Sequence, residues 1–397
     1  MRTAPLRVLC VSSLALVLVW GCKEEKPAEP PKPVEAAKPP EPPKPAATKV
    51  GLVTDVGGRG DQSFNDSALR GLELWSAGKK FNASGYTDAS ADEVKSSLSP
   101  DIASHDPPIS PMKIEPLVLQ SKAQEDYEPN LQLLVERGAK LTIGVGFMME
   151  NAVEATAKKN PNANFLLIDS PLLDEKSTPY TLPNVRTVTF HEEQGSFLVG
   201  ALAGLVTKAN KIGFVGGMEI PLIKKFEAGF RAGVMSTNPK AKVVSNYTGS
   251  FDNVATGKQV GQDMVTKGND VIYHAAGSDG LGVIQAVKEA KAAGKNVFVI
   301  GVDSDQYHVA PEVVLTSMLK RVDLAIYDTD RDVVAGTFKG GDSSMGLKEG
   351  GVGMAEVRLD IPNKAEALAK VDALRAKVAS GELKVPASMD ELKTFKP

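Results

Sequence analysis

Cysteine is nearly absent: the 397 residues hold two, Cys10 and Cys22. Beyond Cys22 there is no thiol, which excludes a cysteine nucleophile, a disulfide framework and thiolate zinc ligands together. Histidine is scarce as well. His105, His191, His274 and His308 show no metal-ligand spacing and read as strand-end or surface residues, so no metal is expected. There is no GxSxG nucleophile elbow. The glycine-rich loop DVGGRGDQSFN, from Asp55 to Asn65, lacks both the GxGxxG and the Walker lysine pattern, which argues against a phosphate cradle. Its Arg59-Gly60-Asp61 spells an adhesion tripeptide that, in a turn, reads as chance. A surplus of basic charge is missing too. The net charge is −3 and no basic stripe appears, so nucleic acid is not an expected partner. Nothing signals covalent chemistry or a cofactor.

What is present begins at the N-terminus. Arg2 and Arg7 precede an apolar run from Val8 to Trp20, too short to span a bilayer but suited to the core of a secretory signal. The run closes on Gly21-Cys22, which resembles the bacterial lipobox, so Cys22 is the expected lipidation site and residues 1–22 the expected signal. An ordinary secretory signal or a short membrane anchor is the alternative. Residues 23–47 are almost purely Pro, Lys, Glu and Ala. Such a segment has too little apolar surface to offset its ordering entropy. Its prolines favour an extended form that reaches roughly 80 Å at ~3.1 Å per residue. It reads as a tether holding a domain off a membrane; a tail without a task has the same composition.

The rest, about 350 residues, exceeds what one core usually holds. Short apolar runs end in polar or glycine-rich turns and alternate with amphipathic stretches. Strands are expected at 49–54, 116–120, 140–145, 164–169, 185–190, 211–215, 241–246, 270–274 and 296–302. Helices are expected at 67–76, 128–137, 151–159, 222–237, 253–267 and 280–293, with 197–206 as a further buried helix. Alternation at this spacing predicts βαβ units and parallel sheets buried on both faces. Two doubly wound sheets account for the number of units better than an eight-stranded barrel, because the polar region from Phe81 to Lys113 lacks periodicity and reads as a surface insertion.

Ligands on such sheets bind at the carboxyl ends of strands. That directs attention to Asp55 and its loop, to Gly144–Phe147, to His274–Gly280, to Gly301–Gln306 and to Lys320 after the apolar stretch Val313–Leu319. Phe226 lies in the helix after the 212–215 strand. Each has an ordinary structural alternative: Phe64 and Phe226 as core, with Phe230 the better core candidate, and Asp55 and Asp303 as helix caps.

The segments VGLVTDVGG, DQSFN, SKAQEDYEPNLQLL, IGVGF, EEQGSFLVGALAG, FEAGFRAGV, HAAGSDGLGV, VIGVDSDQ and LTSMLKRVDLAIYD, in this order, resemble the basic membrane protein family of bacterial lipoproteins. The resemblance implies a type I periplasmic-binding-protein fold of two Rossmann-like lobes with three hinge crossings. It implies lobe 1 at 48–189 with 308–340, and lobe 2 at 190–307 with 341–397. It implies a monomeric, lipid-anchored binding protein outside the cytoplasmic membrane that hands a purine nucleoside (guanosine, inosine or adenosine) to an ABC permease and catalyses nothing. A sensor on the same fold is the alternative, and a nucleoside hydrolase a more distant one. By the same resemblance Phe64 and Phe226 sandwich the base, Asn65 bonds its edge, and Asp303 and Lys320 hold the ribose. Asp55, Asp126, Phe147 and Gly277 are implied at the same rim. Arg59-Gly60 and Ser278-Asp279 depart from the family pattern, and Asp279 is expected to add a carboxylate near the ribose. So many acids around one lysine should repel a phosphorylated ligand.

Overall fold

The computed structural model describes residues 46–103 and 105–397. The expected signal, Cys22 and nearly all of the tether lie outside the described residues. Five strands build the first sheet: β1 (Thr48–Thr54), β2 (Ile114–Gln120), β3 (Leu141–Val145), β4 (Asn164–Ile168) and β5 (Val185–Phe190). The chain then crosses to a second sheet of β6 (Lys211–Gly216), β7 (Lys242–Tyr247), β8 (Val271–Ala275), β9 (Phe298–Asp303) and β10 (Val314–Lys320). It returns for β11 (Gly341–Met345) on the first sheet and leaves again for β12 (Val352–Met354) on the second. The spatial orders are β11-β5-β4-β3-β1-β2 and β7-β6-β8-β9-β10-β12. Every pair is parallel except β10 with β12.

Sequence dictates this arrangement locally. The inner strands are continuous apolar runs because helices cover both faces, so Leu141–Val145 and Val271–Ala275 are buried at every position. Lobe 1 carries α1 (Phe64–Leu69), which continues through Ser76 in π-helical turns, α2 (Tyr127–Glu136) and α3 (Glu150–Lys159). Lobe 2 carries α4 (Glu192–Val206), α5 (Pro221–Thr237), α6 (Val254–Thr266) and α7 (Asp279–Ala292). Phe197–Gly204 of the stretch FLVGALAGLV are buried in α4 as its small residues predict, with Leu205 and Val206 partly buried at its end. Gly200 and Gly204 of α4 and Gly229 and Gly233 of α5 allow near backbone contact; a Cβ at Gly233 would stand 2.0 Å from the Phe197 carbonyl oxygen. Pro221 opens α5 at its first turn, where the missing N–H costs nothing.

Three crossings join the lobes, at His191, at Arg321, and between β11 and β12. Backbone bonds from His191 N to Met345 O (3.0 Å) and from Arg321 N to Gly351 O (2.8 Å) lace them together. These crossings correct the expected lobe boundaries. Residues 314–320 belong to the second sheet, where β10 pairs with β9, and 341–345 belong to the first, beside β5. An apolar run at 313–319 fits either sheet, and the polar β11 (GDSSM) carries no strand signature. Helix α8 (Val322–Val334) packs back on lobe 1 and α9 (Lys364–Ala379) on lobe 2.

The 81–113 insertion is more than surface loop. A hairpin (Lys79–Asn82 with Gly85–Asp88) leads to a helical turn at Ala91–Ser96 closed by a Ser90–Glu93 capping box. Val94, Ile102 and Ile109 bury themselves against Trp75, Leu324 and Tyr327. Asp101 holds Arg321, at a crossing, through two carboxylate contacts of 2.5 and 2.6 Å.

Candidate ligand-binding site

Six strand ends converge between the lobes. Asp55 follows β1, Gly146 and Phe147 follow β3, and Asp169 follows β4. Opposite them, Ala275–Gly277 end β8, Asp303 ends β9 and Lys320 ends β10; all line one cavity. Phe64 and Asn65 enter from the start of α1, Leu222, Ile223 and Phe226 from α5, and Phe251 from the loop before α6. The cavity volume is about 60 Å³, far below the ~300–1,000 Å³ of ordinary small-molecule clefts. The lobes therefore stand close together around it.

Of the expected site residues, Asp55, Phe64, Asn65, Phe147, Phe226, Gly277, Asp303 and Lys320 are brought to this cavity. Asp126 is not. Its carboxylate accepts from Lys122 N (2.9 Å) and Ala123 N (3.1 Å), fastening the turn before α2. Asp279 is likewise consumed by structure: fully buried, it accepts from Ser250 Oγ (3.0 Å) and from Asn253 N, anchoring the Phe251 loop. Arg59 turns away to a bidentate pair with Glu73 (2.9 and 2.6 Å) and lies over the Phe81 ring. Phe230 is core, 4.9 Å from the Tyr273 ring centroid.

The first loop is a carboxylate scaffold. Asn65 Nδ2 donates to Asp55 Oδ1 (2.8 Å) and to Asp61 Oδ2 (3.0 Å), so both of its donors are committed to orienting acids. Asp61 also accepts from the backbone N–H groups of Ser63, Asn65 and Asp66. Burial pushes Asp61 up to about 7 and raises Asp55, against these donors. Across the cleft Asp303 is raised by burial while Lys320 and Ser63 oppose the shift. Lys320, 2 % exposed, pairs with Asp169 Oδ2 (2.6 Å) and Glu192 Oε1 (3.1 Å). Its ammonium lies 5.2 Å from the Phe64 ring centroid and 5.5 Å from that of Phe226, so both rings face the same small volume. Asp61, Asp169, Glu192 and Phe251 were not singled out from sequence. Asp169 closes the strand expected at 164–169 and Asp61 lies in the loop after the first strand, so the strand-end rule reaches both; Glu192 and Phe251 carry no such signal.

Four aspartates and one already paired lysine make an anionic, partly aromatic wall. Among the described residues no group of His, Cys, Asp and Glu is placed to hold a metal ion, and no helix is long and apolar enough to cross a membrane.

The profile of the Bmp family, described as "ABC transporter substrate-binding protein PnrA-like", matches residues 48–389. The chain belongs to the Bmp family. The "ABC transporter nucleoside-binding protein BmpA" of Lactococcus lactis subsp. cremoris is 33% identical over 94% of this chain and 98% of its own length. Basic membrane protein A of Borreliella burgdorferi is 32% identical over 87% of this chain and 90% of its own. Among solved structures, an ABC transporter solute-binding protein from Aeropyrum pernix superposes with a TM-score of 0.69, at 29% identity, over 87% of this chain and 96% of that one. The Bmp chain described above is thus an ABC-transporter substrate-binding protein of type I periplasmic-binding-protein fold.

Proposed function

We propose that this Bmp protein binds purine nucleosides (guanosine, inosine or adenosine) between its lobes and passes them to an ABC permease, acting as a monomer tethered outside the cytoplasmic membrane by a lipid on Cys22. The observation that carries the reading is the joint placement of two phenylalanine rings and several strand-end carboxylates around one interlobe cavity. Rings of this kind stack on a planar base, at ~1–3 kcal/mol per base. Carboxylates accept from ribose hydroxyls and base N–H groups in charge-assisted bonds. Phe64 and Phe226 take the base, with Phe147 at its edge. Asp55, braced by Asn65, faces the base side, and Asp303 and Lys320 take the ribose, with Gly277 giving backbone access. The name of the Lactococcus relative supports the same ligand class.

The lysine is paired with acids of the protein and the remaining charge is negative, so a phosphate would meet repulsion. The protein is a binder that leaves the ligand intact. Calorimetric titration with inosine and inosine monophosphate tests both statements. The nucleoside should bind at micromolar strength or better and the monophosphate at least about a hundredfold more weakly, since a few kcal/mol of charge repulsion at close range suffices. Equal affinities, or free hypoxanthine accumulating with time, would overturn the reading.

A further inference from the structure

Lys320 is held from two sides of the cleft. Asp169, in lobe 1, follows β4 in a left-handed conformation (φ 74°) and takes the ammonium at 2.6 Å. Glu192, the first residue of α4 in lobe 2, takes it at 3.1 Å and is itself braced by Lys225 Nζ at 2.8 Å. The rings of Phe64, Phe190 and Phe226 stand at 5.2, 5.2 and 5.5 Å around it. An ammonium has three hydrogens; Asp169 Oδ2 accepts one of them, while Glu192 Oε1 adds an ion-pair contact without a hydrogen bond.

We infer that Asp169, with Glu192, is a positioning residue for ligand binding: reaching across the cleft, it fixes the Lys320 ammonium so that one remaining N–H serves a ligand hydroxyl, and only when the lobes are together. This rests on the nucleoside reading above. A lysine side chain carries much rotamer entropy, and an unfixed ammonium beside Asp303 would turn toward that carboxylate. Held by Asp169 on closure, the ammonium is ordered by the protein's own contact rather than by the ligand hydroxyl alone. Asp169 and Lys320 sit on different lobes, so opening separates them. The donor is therefore assembled by closure, and a ligand that uses it favours the closed form by that differential contact. Glu192, adjoining the crossing at His191, stays with Lys320 on lobe 2.

The test is a double-mutant cycle on the full chain, with inosine and 2′,3′-dideoxyinosine as probes and Asp169→Asn, Lys320→Met and the double variant as proteins. Asp169→Asn and Lys320→Met should each lower inosine affinity about tenfold or more, the range for a hydrogen bond to a charged group. Dideoxyinosine affinity should move less than about threefold. With Lys320→Met already present, Asp169→Asn should cost less than about threefold further, the mark of residues acting through one another. If Asp169→Asn alone does not fold, the double variant is compared with Lys320→Met directly: a further loss of less than about threefold supports the inference, and a loss of about tenfold or more shows a direct ligand contact and overturns it. An undiminished cost of Asp169→Asn in the Lys320→Met background would show a direct ligand contact and overturn the inference, as would equal losses for both probes. In either case inosine binding by the unaltered protein leaves the nucleoside reading intact; its absence would remove both.

Discussion

Ser63 Oγ in the first lobe donates a 2.5 Å hydrogen bond to Asp303 Oδ2 in the second. It belongs to a seam in which Gln306 Nε2 donates to Gln62 O (3.1 Å) and Ser304 Oγ to Ser63 O (3.2 Å), so the two loops that meet the ligand also hold each other. Changing either end of this bond separates closure from recognition. Ser63→Ala should lower the affinity for inosine and 2′,3′-dideoxyinosine by the same factor, roughly tenfold, because the closed population falls. Asp303→Asn should weaken inosine far more than the dideoxy compound. Calorimetry on the two variants with the two ligands checks the contrast.

The two phenylalanines should part company when truncated. Phe64 is half-buried, so Phe64→Ala should cost affinity, about ten- to a hundredfold from lost stacking, with little change in melting temperature. Phe226 is 3 % exposed and packed into the main core. Phe226→Ala should lose affinity and also destabilise the fold by ~3–5 kcal/mol. Titration and denaturant unfolding on both variants read the difference.

Asp330, on α8, is fully buried and neither carboxylate oxygen has a hydrogen-bond partner among the described residues. Burial pushes it up to about 8. A carboxyl whose folded pKa exceeds its unfolded value holds a proton that the unfolded chain releases, so stability falls as pH rises between the unfolded value and about 8. Asp330→Asn removes that loss. Its melting temperature relative to the unaltered protein should be higher at pH 9 than at pH 5; a constant difference would refute the assignment.

The contact between α4 and α5 leaves no room for a methyl group at Gly233. Gly233→Ala improves helix propensity by ~1 kcal/mol, yet its Cβ meets a backbone oxygen on the facing helix. Parting two helices is overpacking of a kind that costs ~1–3 kcal/mol or more. A lower midpoint in urea, despite the better helix former, is the expected result.

Most of the fold is legible because inner parallel strands covered on both faces carry apolar runs, as β3, β4, β8 and β9 do. What escaped is what lacks that signature. β11 is a polar edge strand and β12 has three residues. The insertion builds its core only with Leu324 and Tyr327 from far along the chain. An apolar run does not say which sheet it joins, so β10 was placed in the wrong lobe. At the site, strand ends pointed to Asp55, Phe147, Gly277, Asp303 and Lys320, while family resemblance pointed to Phe64, Asn65 and Phe226. Asp126 and Asp279 show the limit: a carboxylate that fastens a loop and one that meets a ligand read alike until their hydrogen-bond partners are known.

The threading of the chain through both lobes has a consequence for how the protein comes to be folded. Emerging from its N-terminus, the first lobe lacks its edge strand until Met345 is available, and the cluster of Trp75 with Val94, Ile102 and Ile109 is incomplete until Leu324 and Tyr327 arrive. The first-made half thus waits on the last-made quarter. Such distant pairings carry a high loop-closure cost and slow the search. A fragment ending at residue 307 would leave both sheets unfinished, and the two lobes should melt in a single transition although each has a sheet of its own. Nascent chains of this protein therefore stay open to chaperones and proteases until synthesis is nearly done.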